Sequence, residues 1–435
     1  MRGEDRSGIG FWEAVSIGVG GMVGGGIFAV LGLAVELAGG GTAVAFTLAG
    51  LIALLTAYSY ARLSVTFPSQ GGTVAFINTA FGSGLFTGSL NVLLWLSYIV
   101  MLSLYAYAFG SYGATLFAGG DGFWKHALIS ASVSVVALLN LARAGLIGEA
   151  EDWIVALKVI ILLIFIAVGL AGITPARLAP DTWSPPLQLL AGGMVIFVAY
   201  EGFELIANTA QDVRNPARVL PRAFFAAVGF VVVLYVLVAL VTVGNLPLAQ
   251  VAAARDYALA QAARPFLGHA GFVLIVAAAL LSTLSAINAT LYGAARLSYI
   301  IAKDGELPEV LEHKIWNRPI GGLLVTVVCT LLTANLLDLS SISTTGSAGF
   351  LLIFAAVNLA NVRLAKRTAS RGWISMTAAA ACVLALAVLL WQTALRSPER
   401  LWVVGVLVGG AFAVEVLYRL ASGRQINVVR SPSGR

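Results

Sequence analysis

The chain has 435 residues, 59% of them hydrophobic and only 11% charged, with a mean hydropathy of +0.93. A soluble globule carries about 25% charge, so this composition excludes a water-soluble domain and leaves one membrane domain filling residues 1–435. The formal net charge of +6 and a pI near 9.4 are accounted for by membrane sidedness, and no nucleic-acid partner is assigned to them.

Apolar runs of about 20 residues, the length that crosses a bilayer as helix, fall near 11–38, 42–61, 87–115, 126–142, 152–173, 187–211, 222–244, 271–295, 320–338, 343–362, 373–394 and 400–421. These predict an all-α membrane protein of twelve transmembrane helices joined by short connections. The stretch "MRGEDRSGIG" before the first segment carries both charge signs and no small-residue cleavage site, which is not the pattern of a signal peptide. With the N-terminus inside, 19 Lys and Arg residues, among them Arg2, Arg6, Arg62, Arg143, Arg296, Arg424, Arg430 and Arg435, lie on the inner side against 6 outside. This positive-inside bias predicts a multi-pass protein of the cell membrane with both termini cytoplasmic. Cys329 and Cys382 fall inside spans, where a thiol behaves as a small apolar residue. They imply neither a disulfide frame nor a metal site.

The first segment contains "GVGGMVGGGIFAVLG", in which six of the first nine residues are glycine. Glycine costs roughly 1 kcal/mol per helix position relative to alanine, and in hydrocarbon each freed backbone group costs more unless something polar meets it. The helix is therefore expected to break here. The sixth segment, "GGMVIFVAYEGFELIANTAQDV", is interrupted as well, by Gly202 between Glu201 and Glu204. If the chain is two inverted five-helix repeats, 11–173 and 187–362, followed by two extra helices at 373–421, the broken segments are the first of each half. Matched breaks of this kind mark the midplane site of secondary transporters. The N–H groups of Gly24, Gly25 and Gly26, at the N-terminal end of the outer half-helix, would close around a carboxylate. Carbonyls around Met22, Val198 and Glu201 would take an α-ammonium group. The competing reading is that these glycines only let helices pack closely.

Lys158, in "EDWIVALKVIILLIF", is the one basic residue placed well inside a span. Roughly 9 Å beyond Asp152 at 1.5 Å per residue, its ammonium could snorkel to the interface. Alternatively it projects into the bundle near Gly20 and the hydroxyl of Ser282 or Ser285, where a buried lysine could load and release a proton. Asn288, Tyr292, Asn335 and Asn358 are expected to hydrogen-bond between helices. Trp95 and Tyr98 either line a cavity or pack. His126, His269 and His313 do not cluster, so neither a metal site nor a histidine relay is expected, and no cofactor is implied.

The stretches "FWEAVSIGVGGMVGGGIF", "LLWLSYIV", "FVAYEGFELIANTAQDVRNPARVLPRA", "VGNLPL", "AARPFLGHAGF" and "SAINATLYGAARLSYIIAKDGELPEVLEHKIW" resemble, over nearly the full length, the amino acid–polyamine–organocation (APC) superfamily, and within it the proton-coupled amino acid transporters. The resemblance implies the leucine-transporter-type fold, with 5+5 inverted repeats and two C-terminal helices, and alternating access by rocking of a bundle against a scaffold. It also implies that the ammonium of Lys158 occupies the place of the second sodium ion in sodium-coupled relatives, holding the first and eighth segments when charged and loosening them when neutral. Glu201 departs from that pattern, which usually has an apolar residue there. Its side chain could face a substrate cation, pair with a polar group, join in proton transfer or point into a water-filled vestibule. Glu204 is expected to tie loops together, and the "AKDGELPEVLEHKIW" loop to gate or brace the inner side.

A membrane enzyme would need a nucleophile with its base, a carboxylate pair or a metal triad near one interface, and a channel would need a filter ring. Neither is seen. A membrane amino acid sensor lacks an appended signalling domain to report binding. Proton symport is favoured over sodium symport, because an ammonium at the second site excludes sodium, and exchange of amino acids or polyamines stays open. The expected partners are small neutral L-amino acids, the proton and membrane lipid, with the chain acting as a monomer.

Overall fold

In a bilayer every backbone polar group must be satisfied within the chain, and uninterrupted helices do this most simply. The structure, a computed structural model, describes residues 8–117, 122–142, 148–303, 314–315 and 318–422. Arg2, Arg6, Arg143, His313, Arg424, Arg430, Arg435 and most of the 302–316 loop lie outside the described residues.

The helices in chain order are α1 (Phe11–Met22), α2 (Gly26–Ala38), α3 (Thr42–Thr66), α4 (Thr73–Phe81), α5 (Leu85–Ala114), α6 (Gly122–Ala142), α7 (Gly148–Gly169), α8 (Pro186–Val195), α9 (Leu205–Asn208), α10 (Pro216–Asn245), α11 (Leu248–Ala253), α12 (Ala258–Lys303), α13 (Ile320–Leu336), α14 (Leu339–Arg363), α15 (Gly372–Arg396) and α16 (Leu401–Ser422). Among the described residues, nine helices are long and apolar enough to cross a membrane, and two bent pairs pass the same test together. The pairs are α1 with α2, bent by 48°, and α8 with the Phe197–Asn208 stretch, bent by 47°. α13 is a shorter apolar helix. Each apolar run of the sequence thus coincides with a helix or a bent pair. The chain is an all-α, multi-pass membrane protein, with one two-residue antiparallel ladder, Lys314–Ile315 with Arg318–Pro319, between α12 and α13.

Local chemistry sets several boundaries. Gly39 ends α2 at φ 58°, and the Thr42 hydroxyl donates to its carbonyl at 2.7 Å. Asp338 caps α14 by accepting from the Ser341 N–H at 3.3 Å. α12 is kinked at Gly268, where φ is 64°, and its membrane-length part follows that kink.

Burial separates the centre from the rim. The most apolar stretches of α5 and α14 are each 89% buried, whereas those of α6 and α16 are 28% buried. The rim helices turn leucine and tryptophan outward, as at Leu384, Trp391, Trp402 and Leu420, which suits lipid contact. Apolar area gives little drive for helices to associate inside a membrane, so small and polar side chains hold the centre. Asn358 Nδ2 donates to Thr56 Oγ1 at 3.0 Å, and Asn361 Nδ2 and Ser59 Oγ both donate to Ser375 Oγ at 2.8 Å, tying α3, α14 and α15. Asn335 Nδ2 donates to Ser130 Oγ at 3.2 Å, between α13 and α6. Cys329 and Cys382 are free thiols.

Candidate functional site

The two breaks meet back to back, and glycine permits it. A Cβ on Gly21 would lie 2.7 Å from the Gly202 carbonyl oxygen, and one on Gly202 would lie 2.6 Å from the Met22 nitrogen. Gly202 also holds φ at 116°, a backbone region that L side chains rarely enter. The crossing of the two chains therefore requires the absence of side chains at both positions.

Breaking a helix in an apolar interior releases carbonyls and N–H groups that need partners. On the first break the partners come from three separate helices. The Tyr235 hydroxyl of α10 donates to the Met22 carbonyl at 2.7 Å. The Ser282 hydroxyl of α12 sits between the carbonyls of Val23, at 2.9 Å, and Gly24. The Lys158 ammonium of α7 donates to the Gly20 carbonyl at 3.0 Å. Lys158 is 2% exposed, so its head turns into the bundle and does not snorkel. Ser285 is buried one turn beyond Ser282 on the same helix.

The second break is held by α14 and α5. The Ser343 and Ser347 hydroxyls donate to the Val195 carbonyl at 2.7 and 2.8 Å, and Ser347 Oγ accepts from the Val198 N–H at 3.0 Å. Glu204 accepts from the Gly202 N–H at 2.8 Å and from the Tyr98 hydroxyl at 3.2 Å. It closes on its own break and on α5, not on loops. Glu201 accepts from the Tyr105 hydroxyl at 3.4 Å.

A cavity of about 570 Å³ adjoins the crossing. Gly20, Gly21, Glu201 and Gly202 line it together with Tyr98, Tyr105 and Asn288, and of its other lining residues Gln70 and Tyr292 are exposed and mark its mouth. Met22, Gly24, Gly25, Gly26 and Val198 do not reach its surface; they are buried behind it. Gly24 packs against Ala286 and Tyr105, Gly25 against Tyr105 and Thr283, and Gly26 against the backbone of Ala199. In this structure these three glycines are in close contact with neighbouring helices. Trp95, by contrast with Tyr98, packs, its Nε1 donating to Thr326 Oγ1 at 3.1 Å. Asn140 donates to Asn288 Oδ1 at 2.8 Å.

The face formed by the ends of α2 and α5 and the start of α6 is sealed. Lys125 of α6 pairs with Asp256 at 2.8 Å and lies 3.8 Å from the centre of the Tyr107 ring of α5. The Tyr107 hydroxyl donates to the same carboxylate at 3.2 Å. Arg255 pairs with Glu36 of α2 at 3.4 Å, and its carbonyl presses on Gly32. Among the described residues no cluster of three metal-ligating side chains occurs.

The sequence pattern of the amino acid permeases matches residues 9–412. The chain belongs to the amino acid permease family. An uncharacterized protein of Methanocaldococcus jannaschii is 38% identical to this permease over 83% of each chain. The inner membrane transport protein YbaT of Escherichia coli is 34% identical over 82% of this chain and 83% of its own. The methylthioribose transporter of Bacillus subtilis is 28% identical over 82% of this chain and 80% of its own. This permease, an APC-superfamily member, is therefore a membrane transporter of amino acid type and not an enzyme.

Tyr105, Tyr235, Ser343 and Ser347 were not singled out by sequence reading. The signal available was spacing, since Tyr98 and Tyr105 lie seven apart and Ser343 and Ser347 four apart, each pair on one helix face.

Proposed function

We propose that this permease is a proton-coupled symporter of small neutral L-amino acids, working by alternating access in the cell membrane with both termini cytoplasmic. The observation that carries the reading is Lys158, buried and bonded through its ammonium to the Gly20 carbonyl at the first break. A charged ammonium donates a strong hydrogen bond to that carbonyl and a neutral amine a weaker one. The proton on Lys158 thus biases how firmly α7 holds α1, and α1 forms one wall of the cavity through Gly20 and Gly21. A cation already resident at this place disfavours sodium by charge and by volume.

The substrate carboxylate is assigned to the turn at Gly24, Gly25 and Gly26, at the start of α2, where the helix dipole is favourable. Its ammonium is assigned to the side of Met22, Val198 and Glu201. Ser282 and Ser285 brace the break from α12. In this assignment the halves 11–173 and 187–362 are inverted repeats, and the cavity mouth at Gln70 and Tyr292 faces the cytoplasm.

The test is uptake into liposomes by Lys158→Ala beside the unchanged protein. The expected result is retained alanine binding with loss of proton-driven accumulation. Accumulation with an unchanged pH dependence contradicts the coupling role.

A further inference from the structure

Tyr105 stands between the cavity and the glycine turn. It lines the cavity, whereas Gly24, Gly25 and Gly26 do not. A Cβ on Gly24 would lie 3.5 Å from its Cζ, and one on Gly25 would run into its Cδ1. At the other end, its hydroxyl donates to Glu201 Oε2 at 3.4 Å, long for an O–H···O bond, which is usually 2.5–3.0 Å. One side chain therefore covers the turn with its ring edge and reaches Glu201 with its hydroxyl.

Glu201 is 3% exposed and Glu204 1%. Glu204 is committed to the Gly202 N–H and Tyr98. Glu201 faces the cavity with the long Tyr105 bond.

We propose that Tyr105 is a cover over the glycine turn, that Glu201 is the catch holding it, and that the ammonium group of an α-amino acid frees the cover by taking its place at the Glu201 carboxyl. An ammonium makes shorter, stronger hydrogen bonds to a carboxylate than a neutral phenol does, so the exchange favours the substrate. Because Tyr105 touches both places at once, a zwitterion that displaces it meets Glu201 with its ammonium and the turn with its carboxylate. A carboxylate without an ammonium has nothing to release the catch. This inference rests on the assignment of the turn to the substrate carboxylate made above, and it makes Glu201 the group that restricts the site to amino acids.

The experiment is calorimetric binding to purified protein in detergent, with no gradient. The probes are L-alanine and propionate, which has the carboxylate but no ammonium. Tyr105→Phe keeps the ring and removes the catch, so alanine is expected to bind several-fold tighter and propionate to gain measurable binding. Glu201→Gln keeps the shape but cannot become a carboxylate, so alanine is expected to bind at least tenfold weaker. Tighter alanine binding by Tyr105→Phe together with weaker binding by Glu201→Gln supports the inference. Unchanged or weaker alanine binding by Tyr105→Phe overturns it, as does unchanged affinity in Glu201→Gln. If the unaltered protein binds neither alanine nor any other L-amino acid, the carboxylate assignment itself fails, and the result is distinguishable because it precedes any variant.

Discussion

Asp256 is the hub of the sealed face, and its replacement by alanine tests whether that seal sets the resting conformation. The carboxylate accepts from Lys125 and Tyr107 and lies 3.4 Å from Arg255. Lys125, Asp256 and Arg255 have side chains 21%, 23% and 30% exposed, so solvent screens each pair. The Lys125 pair is worth about 0.5 kcal/mol and the Tyr107 bond to a charged acceptor about 1.5 kcal/mol, whereas the Arg255 pair joins adjacent residues and is the same in both states. The Lys125–Tyr107 and Arg255–Glu36 contacts survive the change. Asp256→Ala is therefore expected to favour the unsealed state by about 2 kcal/mol, roughly a thirtyfold shift in population. Spin labels at Phe123 on α6 and Ala252 on α11, both exposed, report the separation across the seal, with Cys329 and Cys382 replaced by alanine. Electron-electron distance measurements are expected to show a second, longer distance that grows in Asp256→Ala. An unchanged distribution refutes the idea that this cluster holds the face shut.

Ser347→Ala leaves the fully buried Val198 N–H without its acceptor, a loss of about 1–3 kcal/mol, while Ser343 still serves the Val195 carbonyl. The melting temperature in detergent should fall by several degrees, and an unchanged value would mean that the second break is held by other means. Gly202→Ala places a Cβ against the backbone of Gly21 and Met22 at φ 116°. Alanine binding should weaken more than tenfold by calorimetry, and normal affinity would show that the crossing of the breaks does not shape the site.

The fold was legible because hydrocarbon is an unforgiving solvent. Long apolar runs have to be helices, and glycine clusters inside two of them have to be breaks, so α1–α2 and α8–α9 were anticipated from "GVGGMVGGG" and "YEGFE". Lys158 stood out because a lone basic residue in a span is rare, although residue spacing alone left its direction open; burial against Gly20 settles that direction. The partners of the breaks were not legible. Tyr235 and Ser347 sit in spans among many other aromatic and hydroxyl residues, and which of them face a break depends on how α10 and α14 rotate against it. The glycine turn shows a further limit, because close packing and ligand binding both call for a missing Cβ. Here Tyr105 and Ala199 occupy that space.

The central claim is proton coupling, and the most direct measurement is uptake of labelled alanine into liposomes containing this permease alone, with no amino acid inside. An inward proton gradient is compared with an inward sodium gradient of the same size. The account predicts accumulation with the proton gradient and none with sodium. Accumulation driven by sodium, or none until amino acid is loaded inside, would contradict it, the latter making the protein an exchanger and Lys158 a fixed structural cation.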